Sequence, residues 1–197
     1  MNWITKFIKP KIESLFKKKT AESSQVLWTT CECKNLIYKE DLQKNFNCCP
    51  KCGAHHKLSC TERFKVFFDN NEYKLIKTPL PQDDPINFVD TKKYTDRLKS
   101  ARKTTKQDDA VAIASGKIDN IQVTVGAQDF RFIGGSFGAA SGEAFIHGVQ
   151  HAIDNKNPFI FFSCSGGQRM MESSIALMQM SRTVLAVNEL KKKKIPF

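Results

Sequence analysis

Twice in its second half the chain runs from a short apolar stretch through a glycine turn into residues spaced for a helix, at Phe130–Ile153 and again at Phe159–Arg182. The second instance lies in Asn157–Arg182. Pro158–Phe162 is short, apolar and rich in aromatics, the pattern of a buried strand in a layered α/β fold. Ser163–Gly167 then makes a tight turn. From Gln168 on, Met171, Ile175, Met178 and Leu185, with Met170, Leu177 and Met180, recur at helical spacing and read as a methionine-rich core face. The first free N–H groups of a helix entered this way point out of the turn, where a developing oxyanion or a phosphate can sit. The same glycines also suit a plain chain reversal. A Walker loop is excluded, because no Gly-x-x-x-x-Gly-Lys-Ser/Thr occurs. So is a nucleophile elbow, because Ser165 lacks the glycine two places before it.

Around these units the texture changes along the chain. Residues 1–27 form a basic arm, and residues 28–60 carry six of the seven cysteines. Glu62–Asn70 is charged and helix-prone, Thr78–Pro85 is a Pro/Asp linker, and the segment around Lys92–Asp109 is polar. Ala110–Ala114 and Ile121–Val125 flank Asp119-Asn120 and read as two strands. Phe130–Ile133 reads as a further strand running into Gly134–Gly138, and Gly142–Ile153 as a helix through Phe145, Val149 and Ile153. His147 and His151 lie four apart on that helix. Without a neighbouring Glu or a third ligand they read as surface histidines.

A chain of 197 residues holds one good core and a small appended module. No apolar run approaches the roughly 18 residues that span a bilayer. The N-terminal apolar residues are too scattered for a signal-peptide core, which leaves a weakly amphipathic arm and a cytoplasmic home as the expectation. The net charge of +11 suits a polyanionic partner, whether nucleic acid, an acidic protein or a phosphate-bearing cofactor.

The cysteines narrow the reading. Cys31-Glu32-Cys33 is followed, after fifteen intervening residues, by Cys49-Pro50-Lys51-Cys52-Gly53. Close pairs joined by such a spacer are the pattern of a four-cysteine zinc ribbon. Cys31, Cys33, Cys49 and Cys52 are the expected ligands. The first knuckle is one residue short, so Cys48, Cys60, His55 and His56 remain alternatives there. Four thiolates leave no open coordination position, so the metal is structural and any chemistry lies elsewhere.

Taken in order, these segments resemble the β subunit of bacterial acetyl-coenzyme A carboxylase carboxyltransferase from Trp28 to about the C-terminus. The carriers are Leu27-Trp28-Thr29, Cys49–Cys52 with His55-His56, and Asp90–Leu98. They continue in Phe132–Gly138, Ser163–Met170 and Leu177–Met180. The resemblance implies a zinc ribbon over residues 28–60 and, over 61–197, the N-terminal part of a crotonase-like domain of ββα turns. It implies one zinc per subunit and an α2β2 assembly with a carboxyltransferase α subunit. It also implies biotin carboxylase and biotin supplied on a carboxyl carrier protein as further parts of the complex. The implied reaction transfers a carboxyl group from carboxybiotin to acetyl-CoA, giving malonyl-CoA for fatty acid synthesis. By the same resemblance Gly166 and Gly167 face the thioester, Gly134, Gly135 and Ser136 shape the acyl-CoA pocket, and Arg131, Arg169 and the lysines are the candidates to meet the coenzyme A phosphates. The family's later glycine pair has no counterpart before Phe197. A C-terminally truncated fragment, inactive by itself, is therefore expected. The rival readings are a nucleic-acid-binding zinc ribbon and another crotonase-like acyl-CoA carboxylase.

Overall fold

The computed structural model describes residues 27–197, so the basic N-terminal arm, apart from its last residue, Leu27, lies outside the described residues. The chain forms two compact units, divided after His56. The first contains an antiparallel pair, β1 (Trp28–Thr30) and β2 (Leu36–Tyr38), and a short helix, α1 (Lys39–Lys44). Its core is small: Ile37 and Leu42 pack with Cys31 and Cys49. So little apolar surface cannot hold a fold alone, and a metal is the usual remedy at this size.

The second unit, Lys57–Phe197, is built on one four-stranded sheet in the order β3-β4-β5-β6. β4 (Val111–Ile118) and β5 (Ile121–Gln128) form a full hairpin in which Val111 pairs with Gln128 and Ile118 with Ile121. The turn residues Asp119 and Asn120 both take positive φ, 49° and 64°, the geometry of a two-residue hairpin turn. Asp69 accepts both of their backbone N–H groups at 3.0 Å. β3 (Tyr73–Ile76) adds antiparallel to β4, and β6 (Phe159–Phe162) adds parallel to β5. The parallel step needs a crossover, which α4 (Ala139–Asp154) supplies.

Each sheet face carries a core. On one, α4 and α5 (Ser174–Lys192) pack Phe145, Val149, Ala186 and Leu190 against Val111, Ile113 and Phe159. On the other, α2 (Cys60–Phe67) sets Cys60 and Phe64 over Val123, Val125 and Ala127. A capping box at Ser59 and Glu62 starts α2. A third cluster joins α3 (Tyr94–Thr105) to Phe132 and Met171.

Several elements differ from the sequence reading. Phe130–Ile133 is no strand: Asp129 accepts the Arg131 and Phe132 segment's N–H groups and the chain coils into a single 3₁₀ turn at Ile133–Gly135. The polar segment at 92–109 contains α3, which buries only Tyr94, Leu98 and Thr105. The last helix starts at Ser174, after a separate 3₁₀ turn at Met170–Glu172. Its methionine face is outward: Leu177, Met178, Met180 and Leu185 are exposed, while Ala176, Gln179, Ala186 and Leu190 are buried. Small residues there let α4 approach closely.

Gly126 is opposite Phe161 in the β5–β6 register, and an added Cβ would lie 2.5 Å from that ring. Gly126→Ala should therefore destabilise the second unit by about 1–3 kcal/mol through overpacking. The check is a lower urea midpoint at unchanged slope.

Candidate functional site

The four cysteines of the first unit converge. The sulfurs of Cys31, Cys33, Cys49 and Cys52 all lie within 4.8 Å of one another, with Cys31–Cys52 at 3.6 Å and Cys33–Cys49 at 3.9 Å. A tetrahedron with Zn–S bonds of about 2.3 Å has edges of about 3.8 Å, so the donor set fits zinc. The short first knuckle closes because Lys34 takes φ 64° and donates its N–H back to the Cys31 carbonyl at 2.8 Å. The alternatives fall away on position. Cys60 lies in the second unit, where its thiol meets the Ala127 carbonyl at 3.0 Å, and Cys48 faces His55 Nδ1 at 3.4 Å. No other cluster of metal-ligating side chains occurs among the described residues, His147 and His151 included. His151 instead meets the Thr124 hydroxyl at 2.9 Å.

The thiols are electrostatically uneven. The Asn35 side-chain amide and backbone N–H pull Cys33 down to about 6. The Ala54 N–H also favours a thiolate at Cys52, but its three neighbouring cysteines outweigh it and push Cys52 up to about 12. Four facing sulfurs cannot all ionise without a cation among them, which is the condition a divalent metal satisfies.

The second site is where the two glycine turns meet. Gly166 donates its N–H to the Gly134 carbonyl at 2.9 Å, Phe137 to Gly167 at 2.9 Å, and Arg169 to Phe137 at 3.0 Å. Gly135 has φ 64° and touches the other turn so closely that a Cβ would collide with the Cys164 carbonyl. Gln128, the last residue of β5, joins both turns: its amide donates to the Gly135 carbonyl at 2.6 Å and accepts from the Cys164 N–H at 3.2 Å.

Arg169 is fully buried beneath this junction. Its guanidinium pairs with Asp109 through two bonds, at 2.6 and 2.8 Å, and with Glu172 at 3.3 Å. It also donates to the carbonyl and hydroxyl of Ser136. Burial disfavours its charge, but the Asp109 carboxylate outweighs that and raises its pKa further. The expectation that Arg169 meets phosphates is thus corrected: no face of it reaches solvent. Arg131 also holds a carboxylate, Asp129 at 2.7 Å, though its side chain remains half-exposed.

Above the junction is a cavity of about 690 Å³. Phe137, Phe145, Phe161, Met180 and Val184 give it apolar walls, and Ser165, Gly167 and Gln168 give it one edge of polar backbone. Lys191 is the only cation on its wall among the described residues. Gly134, Gly135 and Ser136 are not on the wall; they brace the turn that is. The N–H groups of Gly166 and Gly167 are engaged inside the turns, the latter by the Ser165 hydroxyl at 3.0 Å. Those of Ser165 and Gln168 have no partner among the described residues. The N–H groups left available in this turn therefore sit one residue to either side of the expected glycine pair. Gln128 and Asp109 were missed, because nothing in their local pattern marks them.

Comparison with known proteins agrees with this geometry. A carboxyl transferase domain model matches residues 84–197, and an acetyl-CoA carboxylase zinc finger domain model matches residues 28–52. The acetyl-coenzyme A carboxylase carboxyl transferase subunit beta of Pelagibacter ubique (strain HTCC1062) is 49% identical over the whole chain, which spans 65% of that protein. The corresponding subunit of Beijerinckia indica is 42% identical, again over the whole chain and 68% of that protein. Among solved structures, transcarboxylase 12S with hydrolysed methylmalonyl-coenzyme A bound aligns with a TM-score of 0.52 at 22% identity, covering 78% of this chain and 25% of that one. A Pseudomonas malonate decarboxylase hetero-tetramer in complex with malonate aligns at 0.50 and 19%, covering 69% and 48%. These likenesses show the crotonase-like carboxyltransferase fold. With a four-cysteine ribbon ahead of that domain, the chain belongs to the carboxyl transferase family, among the acetyl-coenzyme A carboxylase carboxyl transferase β subunits.

Proposed function

We propose that the chain forms the acyl-CoA side of a biotin-dependent carboxyltransferase. It accepts a carboxyl group from carboxybiotin on a carrier protein and places it on acetyl-CoA, giving malonyl-CoA for fatty acid synthesis in the cytoplasm. A carboxyltransferase α subunit in an α2β2 assembly, and a biotin carboxylase, complete the system. The observation that carries this reading is the mainly apolar cavity with the joined glycine turns on its edge. Carbon–carbon bond formation at the acetyl methyl needs an enolate, and the oxygen of that enolate is stabilised by fixed backbone N–H dipoles in a site that excludes water. The Ser163–Gln168 turn, with Gly166 and Gly167 at its centre, supplies such dipoles without a side-chain nucleophile. Gly134, Gly135 and Ser136 hold it in place. Lys191 is the residue suited to a coenzyme A phosphate. The zinc ribbon would hold one metal through Cys31, Cys33, Cys49 and Cys52, and that metal orders the first unit with no part in the transfer. All seven cysteines are unpaired by disulfides, as a reducing compartment requires. No described helix is long and apolar enough to cross a membrane.

Titration calorimetry of the zinc-loaded chain with acetyl-CoA tests the reading. Saturable binding that free coenzyme A competes away is expected. Absence of binding, with steeply salt-dependent affinity for generic nucleic acid, would favour the nucleic-acid ribbon instead. Arg169→Ala should act on folding, leaving two buried carboxylates without their cation at a cost of about 3–5 kcal/mol. A thermal or urea midpoint reads that loss. Stripping zinc with a chelator should unfold residues 27–56 while the sheet of the second unit persists. Loss of the first unit's dispersed amide resonances, reversed by added zinc, is the measurement.

A further inference from the structure

We propose that Gln128 is a positioning residue for the acyl-CoA site, a role that rests on the reading above. It is 5% exposed, ends β5 and lies on the cavity wall. Both ends of its amide are engaged, and by different turns: Nε2 donates to the Gly135 carbonyl at 2.6 Å and Oε1 accepts the Cys164 N–H at 3.2 Å. A side chain that only filled space at this position would be apolar. One that only held the two turns together would be redundant, because Gly166–Gly134 and Phe137–Gly167 backbone bonds already do so. What Gln128 adds is orientation. Its carbonyl fixes the peptide plane between Ser163 and Cys164, directly before Ser165, whose own N–H is left unpartnered at the cavity edge. The pairing of Val111 with Gln128 anchors the residue to the sheet, so the aim of the turn is set from the central hairpin. A preorganised dipole acts in this way, held before the ligand arrives.

The requirement is specific: one donor toward Gly135 and one acceptor toward Cys164. An ionised carboxylate offers only acceptors, whereas a protonated carboxylic acid offers both, with nearly the shape of the amide. The test uses the full zinc-loaded chain, with acetyl-CoA as probe, in wild-type, Gln128→Met and Gln128→Glu forms. Gln128→Met should lose about tenfold in acetyl-CoA affinity at every pH and speed hydrogen exchange at the Cys164 amide about tenfold, with Val125 exchange unchanged. Gln128→Glu should be as weak as the Met form near pH 8 and recover toward wild type below about pH 6. The introduced carboxyl is buried against a carbonyl, which raises its pKa, so the proton is taken up as pH falls. Asp129, paired with Arg131, the Cys164 thiol, the Cys60 thiol on the Ala127 carbonyl, and Lys191 on the shared cavity wall are the nearby titratable groups. They are common to all three chains, so the ratio to wild type isolates the introduced group.

Affinity and Cys164 exchange in both variants equal to wild type at all pH values would overturn the proposal. So would a Gln128→Glu form as weak at low pH as at high. A wild-type chain with no acetyl-CoA affinity would overturn the acyl-CoA reading itself. The exchange rates would then decide on the clamp alone, accelerated Cys164 exchange in the Met variant supporting it and unchanged exchange overturning it.

Discussion

The second unit depends on one buried cation. Arg169 sits with no exposed surface among Asp109, Glu172, Tyr94 and Ser136, which come from four separate stretches of chain. Asp109 precedes β4 and also accepts the Ser141 hydroxyl in the first turn of α4 at 2.6 Å. Glu172 accepts the Tyr94 hydroxyl from α3 and the Ala139 N–H at the start of α4, both at 2.6 Å. A carboxylate at a helix N-terminus is favourably placed in itself. Here it also fixes where α4 begins, and with it the end of the Gly134–Gly138 turn. Burying three charges is costly, and a set of apolar side chains would fill the volume more cheaply. Ion pairs have one property apolar packing lacks: each bond has a direction. The network therefore determines how the two turns lie relative to each other, which dispersion contacts alone would leave loose.

The glycine turns inherit that order. Their backbones touch at Gly135 and Cys164, too closely for any side chain, and they exchange backbone hydrogen bonds as though they were short strands. Once so joined, most of their N–H groups have partners inside the junction. Only a few remain to face a ligand, so the number of donors is set by packing. The glycine content of the turn does not determine it.

This explains what the sequence made legible and what it concealed. Strand-turn-helix units, the Asp119-Asn120 hairpin and the paired cysteines are local patterns, readable because the residues that create them are neighbours in the chain. The family followed from the order of those patterns. The Arg169 network links residues 60 to 78 positions apart, from Asp109 to Arg169 and from Tyr94 to Glu172, and no periodicity encodes it. An arginine after two glycines looks like a phosphate ligand until its distant carboxylates are seen. The methionine face of α5 failed for a related reason. Helical spacing shows that a face exists but not which side the sheet will take, and on α5 it took the side with alanines, where α4 approaches closely. α3 was hidden because three buried positions in twelve residues leave little apolar signal.

The two units also solve different problems with similar means. In the ribbon, backbone N–H groups converge on sulfur, and a charge at the centre is needed before the thiols can face one another. In the carboxyltransferase unit, carbonyls and carboxylates converge on a guanidinium the chain itself provides. Each places a cation where too few apolar side chains are available to define geometry. The difference is that arginine is covalently attached. The second unit therefore carries its ordering cation within the chain, whereas four converging thiols are a donor set that takes its cation from outside it.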